Sequence, residues 1–159
     1  MEKDRLKEGD ILPTFQLLSS SGDFITDKDT LGKTTLFFIY PKDDTSSCTK
    51  EAQSFSDLKD DFLKLGVKIF GVSKDNFETH KKFITKYNLE IELLVDEDID
   101  FITGAGSWVE KSMYGKKYMG IERTTIIVCE TGKIIKIWRK VRVPGHVDEA
   151  LNWLTENLA

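Results

Sequence analysis

Residues 35 to 40 read Thr-Leu-Phe-Phe-Ile-Tyr, an unbroken apolar and aromatic run bounded by Gly32 and Pro41. Such a run predicts a strand buried on both faces. Beyond it, Ala52, Phe55, Leu58, Phe62 and Leu65 recur at helical spacing until Gly66, which predicts one helix closed by a glycine. Residues 67 to 73 form another apolar strand. Asp75 and Glu78 then make a capping box for a helix through Phe77, Phe83, Ile84 and Tyr87. Further strands are expected at residues 91 to 95, 124 to 128 and 133 to 140, with a short helix near Asp98 and a last helix from His146 to Asn157. Near the start, residues 15 to 18 and 24 to 26 flank Ser-Ser-Ser-Gly-Asp and read as a β-hairpin. Strands alternating with helices and closed by a strand pair predict an α/β fold, a mixed central sheet with helices on both faces.

Composition narrows the function classes. The 159 residues, 40% of them apolar, suit one domain spanning residues 1 to 159 with a packed core. A net charge of −4 argues against general nucleic-acid binding, which phosphate neutralisation leads. The basic cluster Lys133, Lys136, Arg139, Lys140 and Arg142 reads as the solvated part of a strand, with Ile134, Ile137 and Val141 turned partly inward. No N-terminal apolar run resembles a signal peptide, and no stretch approaches the ~20 residues that cross a membrane. Two distant cysteines without framework spacing point to a reducing compartment, hence the cytoplasm. His80, among Glu78, Lys81 and Lys82, is expected on a solvated helix face, and His146 follows Pro144-Gly145 at a helix start. Neither has a partner at metal-ligand spacing. Trp108, Trp138 and Trp153 read as core or lid packing rather than cofactor platforms.

Cys48 stands where the buried strand gives way to the helix, with Thr45, Ser46 and Ser47 before it as N-cap candidates. The unpaired N–H groups and the dipole of a helix N-terminus stabilise an anion there. A thiol that ionises near ~8.5 in isolation can be lowered by such a site. A buried structural cysteine is the plainer alternative for a lone thiol.

The spacing Pro41-x-x-x-Thr45-x-x-Cys48 resembles the peroxiredoxin active-site motif. The wider Tyr40-Pro-Lys-Asp-Asp-Thr-Ser-Ser-Cys-Thr-Lys-Glu-Ala52 is similar to the subgroup called bacterioferritin comigratory protein or peroxiredoxin Q. The stretch from Gly104-Ala-Gly-Ser-Trp108 to Arg123-Thr-Thr-Ile-Ile-Val128 resembles the part that carries that family's active-site arginine. With Gly9-Asp-Ile-Leu-Pro-Thr-Phe15 and Gly145-His146, the resemblance covers nearly the whole chain. It implies a thioredoxin-like fold and a peroxidase without metal or organic cofactor. Cys48 would be the nucleophile, Arg123 would hold the thiolate and polarise the peroxide, and Thr45 would hydrogen-bond both. Pro41 would pack over the cysteine, and Glu51 would orient Arg123. Glu51 and Arg123 also have plainer readings: a glutamate in a first helical turn suits the dipole, and most arginines lie on the surface.

The chain departs from the subgroup at Gln53, where many members carry a resolving cysteine, and at Ser46-Ser47, where many have Pro-Gly. Cys129 is the other cysteine. If Arg123 lies beside Cys48 and a strand follows, Cys129 sits about 20 Å away at ~3.3 Å per residue. A disulfide needs Cα atoms within about 7 Å, so Cys129 reads as structural. This departure points to a one-cysteine enzyme reduced by an external thiol such as thioredoxin or glutathione with a glutaredoxin, while the resemblance implies a hydroperoxide substrate and a monomer rather than a dimer. A non-catalytic redox sensor, holdase or binding module on the same fold is the alternative function.

Overall fold

The computed structural model describes residues 5–158. The chain runs through β1 (Gln16–Ser19), β2 (Phe24–Thr26), β3 (Thr34–Ile39), α1 (Ser46–Asp57), α2 (Lys59–Lys64), β4 (Val67–Ser73), α3 (Phe77–Tyr87), β5 (Glu92–Val95), α4 (Asp100–Gly104), β6 (Trp108–Met113), β7 (Lys116–Ile121), β8 (Thr124–Val128), β9 (Ile134–Arg139) and α5 (His146–Leu158). Seven strands make one sheet in the order β2-β1-β5-β4-β3-β8-β9. Strands β3, β4 and β5 are parallel, and β1, β2, β8 and β9 join antiparallel at the two sides. This is the thioredoxin-like α/β arrangement that the resemblance implies, with the expected N-terminal hairpin.

Alternation along β3 builds two cores from one strand. Leu36, Phe38 and Tyr40 point to the side packed by α1, α2, α3 and α5. Phe37 and Ile39 point to the other side, where Phe101 and Ile102 of α4 and Leu12 and Leu17 close the core. Helices thus lie on both faces, unevenly. On the crowded face Phe38 stacks on Phe55 of α1 with ring centroids 4.5 Å apart. Gly71 of β4 lies beneath these rings: a β-carbon there would sit 2.7 Å from both Leu93 Cδ2 and Phe38 Cζ. Gly71→Ala should therefore cost about 1–3 kcal/mol by overpacking, read as a lowered urea midpoint with an unchanged slope.

Several expectations need correction. The helix expected to run from the Cys48 turn to Gly66 breaks at Leu58, which caps α1 and opens α2. Ser54, Ser56 and Asp57 are weak helix formers at that point. Ser56 Oγ also accepts the Glu90 N–H at 2.7 Å, a tie outside the helix. The α3 cap is Asn76, whose side chain accepts the Thr79 N–H; the Asp75 carboxylate instead accepts from Ser73 Oγ and the Asp43 N–H. Sequence reading missed the β6–β7 hairpin. Its strands are largely exposed and lack alternation, but Tyr114 and Gly115, both at positive φ, form the two-residue turn that twisted hairpins favour. Arg139 leaves the solvated face, donating through Nη2 to the Leu6 and Ala105 carbonyls at 2.7 and 2.8 Å. His80, expected in solvent, is fully buried.

Candidate active site

The sheet delivers Cys48 by a short path. Strand β3 ends in the core, Tyr40 N–H still donates to Val72 O at 3.0 Å, and Pro41 turns the chain out. Thr45 is the N-cap of α1 in extended geometry, and its carbonyl accepts the Thr49 N–H at 2.8 Å. Its hydroxyl does not cap the helix but donates to the Lys42 carbonyl at 3.1 Å. Cys48 is the third residue of α1, in a first turn that holds no carboxylate, so no side-chain anion competes there for the helix N-terminus. Its side chain is buried, 1% exposed.

Arg123 arrives from the two-residue link between β7 and β8. The antiparallel register of β8 against β3 sets Thr124 opposite Ile39, which brings that link to the β3 end that leads into α1. From there Arg123 Nη2 donates to Cys48 Sγ at 3.3 Å and Nη1 donates to Glu51 Oε1 at 2.7 Å. One guanidinium thus spans sulfur and carboxylate, as a planar fork of donors permits. Glu51, one helical turn past Cys48, is fully buried, and its Oε2 has no hydrogen-bond partner among the described residues.

Burial pushes the Glu51 carboxyl up to about 7, more than the Arg123 charge and hydrogen bond pull it down. Burial opposes the Arg123 charge, but Glu51 and Cys48 outweigh it and hold the guanidinium above its ordinary range. Nearby, His146 of α5 lies against Trp138 and Phe55, and its Nε2 meets Thr125 Oγ1 at 2.7 Å. Burial lowers the His146 imidazole to about 4, with Arg123 adding to the effect against the pull of Glu149, so it is neutral at pH 7.

A cleft of about 400 Å³ opens beside this group, lined by Pro41, Ile121, Arg123, Val109, Lys111 and Val141 among others. The structure therefore brings Cys48, Glu51 and Arg123 into direct contact and sets Pro41 on the cleft wall with Arg123. Thr45 stays on the surface, its hydroxyl turned to Lys42. Cys129 is far from all of them in register: Val128, just before it, pairs with Thr35 at the opposite end of β3. Its thiol is partly exposed in the β8–β9 turn, 3.1 Å from Thr131 Oγ1. A second cavity, of about 420 Å³, lies against α4 and β1 and shares no lining residue with the Arg123 cleft.

A buried sulfur held by a guanidinium at a helix start is equipped for thiol chemistry. Known proteins place it further. The pattern of the AhpC/TSA family matches residues 9–137. Peroxiredoxin Bcp of Bacillus subtilis is 41% identical over 148 residues, 93% of this chain and 94% of that protein. Among solved structures, peroxiredoxin Q of Xanthomonas campestris superposes with a TM-score of 0.88 at 36% identity, covering 91% of this chain and 92% of the other. Peroxiredoxin Q of Xylella fastidiosa gives a TM-score of 0.92 at 30% identity over 98% and 99% of the two chains. Similarity at that level along almost the full length, joined to the Cys48 and Arg123 geometry, settles the kinship: the chain belongs to the AhpC/TSA family, within the peroxiredoxins of the Bcp and peroxiredoxin Q group.

Proposed function

We propose that this thiol-dependent peroxidase reduces hydrogen peroxide and organic hydroperoxides at Cys48 by a one-cysteine cycle. The Cys48 thiolate attacks the terminal oxygen of the hydroperoxide; an S–O bond forms as the O–O bond breaks. Sulfur is oxidised to sulfenic acid, and the peroxide leaves as alkoxide or hydroxide, which takes a proton to become alcohol or water. The observation that carries this reading is the single guanidinium on both Cys48 Sγ and Glu51 Oε1. Its charge holds the thiolate beforehand and stabilises the oxygen that gains negative charge as the bond breaks. Pro41 bounds the cleft through which a small peroxide approaches Arg123. Thr45 serves the site through its backbone, whose carbonyl accepts the Thr49 N–H and opens α1, while its hydroxyl is tied to the Lys42 carbonyl. A non-catalytic sensor or binding module is not favoured, because the full-length likeness is to peroxiredoxins.

With Gln53 in place of a resolving thiol and Cys129 at the far end of the sheet, the sulfenic acid is reduced by an external thiol. That thiol attacks sulfur, water leaves, and a second thiol resolves the mixed disulfide. Thioredoxin and glutathione with a glutaredoxin are the candidate donors. A monomer in a reducing compartment such as the cytoplasm fits this scheme, since two distant cysteines without framework spacing suit such a compartment. The test is steady-state peroxide consumption with each donor, beside Cys129→Ser. Equal turnover in wild type and Cys129→Ser, with no internal disulfide by mass spectrometry, is the expected result. A collapse of turnover in Cys129→Ser would replace the one-cysteine cycle with a two-cysteine one.

A further inference from the structure

The residues between β3 and α1 are fastened from beneath by a buried polar network that the peroxide chemistry does not use. Asp43, 4% exposed in the middle of that loop, accepts from Tyr40 Oη at 2.6 Å and pairs through Oδ2 with His80 Nδ1 at 2.6 Å. His80 Nε2–H donates to the Leu94 carbonyl of β5 at 2.8 Å, so the ring ties the loop to the sheet. The Asp43 N–H is held in turn by the Asp75 carboxylate at 2.9 Å, itself held by Ser73 Oγ. The next residue, Asp44, sits in the left-handed region at φ 59 and is gripped from the same helix, by Lys86 Nζ at 2.8 Å and Tyr87 Oη at 2.6 Å. Helix α3 thus holds two successive loop residues through three side chains, four to five residues before the reactive sulfur.

That placement bears on a conflict within the cycle. A hydroperoxide is small enough for the cleft, but the sulfur is 1% exposed, and a thiol borne on another protein cannot reach it without displacing the loop. Resting on the one-cysteine reading above, we infer that Asp43, seated on His80 and Tyr40, is a positioning residue that latches the Cys48 loop in its peroxide-reactive form, and that release of this latch limits reduction of the sulfenic acid by external thiols. Loosening the latch then moves the two half-reactions in opposite directions: the loop spends less time with sulfur against Arg123 and more time with sulfur accessible.

The experiment follows the two steps separately by stopped flow, with hydrogen peroxide as oxidant and reduced thioredoxin as the protein-borne thiol acting on preformed sulfenic acid. Wild type is compared with Asp43→Asn, which keeps shape and removes the charge, and with Tyr40→Phe, which removes only the hydroxyl that donates to Asp43. In Asp43→Asn, oxidation should slow about tenfold while reduction speeds by a similar factor, and Tyr40→Phe should shift the two rates in the same opposite directions by about twofold. Rates that stay level, or that fall together in either variant, overturn the latch. If Asp43→Asn does not fold, Tyr40→Phe carries the same test alone. Slow oxidation of wild-type Cys48 would instead sink the peroxidase reading itself, a failure visible before any variant is compared.

Discussion

Replacing Arg123 with glutamine should slow peroxide oxidation of Cys48 by a factor of about 10² to 10³, the loss seen when a donor aimed at developing charge is removed from an active site. Glutamine keeps hydrogen-bonding capacity but gives up the charge and the fork that reaches Cys48 Sγ and Glu51 Oε1 together. The same variant strands Glu51, fully buried with one carboxylate oxygen already without a partner among the described residues. The ion pair also sets a pH signature. With the Glu51 carboxyl pushed up to about 7 by burial, it is charged and aligns Arg123 above that pH, and loses its hold as pH falls through it. Wild-type oxidation should therefore show an inflection near 7 that Glu51→Gln lacks. Stability carries the opposite sign. The folded chain keeps that proton to about 7 while the unfolded chain loses it near 4.5, so the contribution of Glu51 falls as pH rises across this window. Glu51→Gln should flatten that slope in urea titrations taken across it.

Cys48→Ser should leave no measurable peroxide turnover and an intact fold. A serine hydroxyl is un-ionised in the pH range where the thiol reacts, and among the described residues the side chain set against position 48 is the cationic Arg123 rather than a base, so the site has no nucleophile left. The exchange of Sγ for Oγ changes little volume at a buried position, and Arg123 Nη2 still finds an acceptor there. Loss of activity with unchanged circular dichroism and a melting temperature within a few degrees is the expected pair of results. Residual turnover would move the chemistry to another residue.

Much of this site was written locally. Pro41, Thr45, Cys48 and Glu51 fall within eleven consecutive residues, and the passage from a buried strand to a capped helix fixes where the thiol goes. Arg123 was different: nothing in its own neighbourhood reveals that the β3–β8 register carries it 75 residues back to the sulfur, and only the family likeness marked it. His80 had a readable signal that charge obscured. It shares the spacing i, i+3, i+7 with Phe83 and Tyr87, the inward stripe of α3, but its neighbours Glu78, Lys81 and Lys82 made the segment look solvated. Its burial is satisfied by Asp43, 37 residues away, a pairing that periodicity does not carry. Asp75 misled for a related reason, because a carboxylate ahead of a helix looks like a cap until a tertiary donor, here the Asp43 N–H, claims it.

The most direct measurement is rapid mixing of the reduced protein with a slight excess of hydrogen peroxide, with the sulfenic acid trapped and its position mapped by mass spectrometry. The account predicts sulfenic acid at Cys48, formed orders of magnitude faster than on free cysteine and persisting without an internal disulfide until an external thiol is added. Slow oxidation, or first oxidation at Cys129, would contradict it.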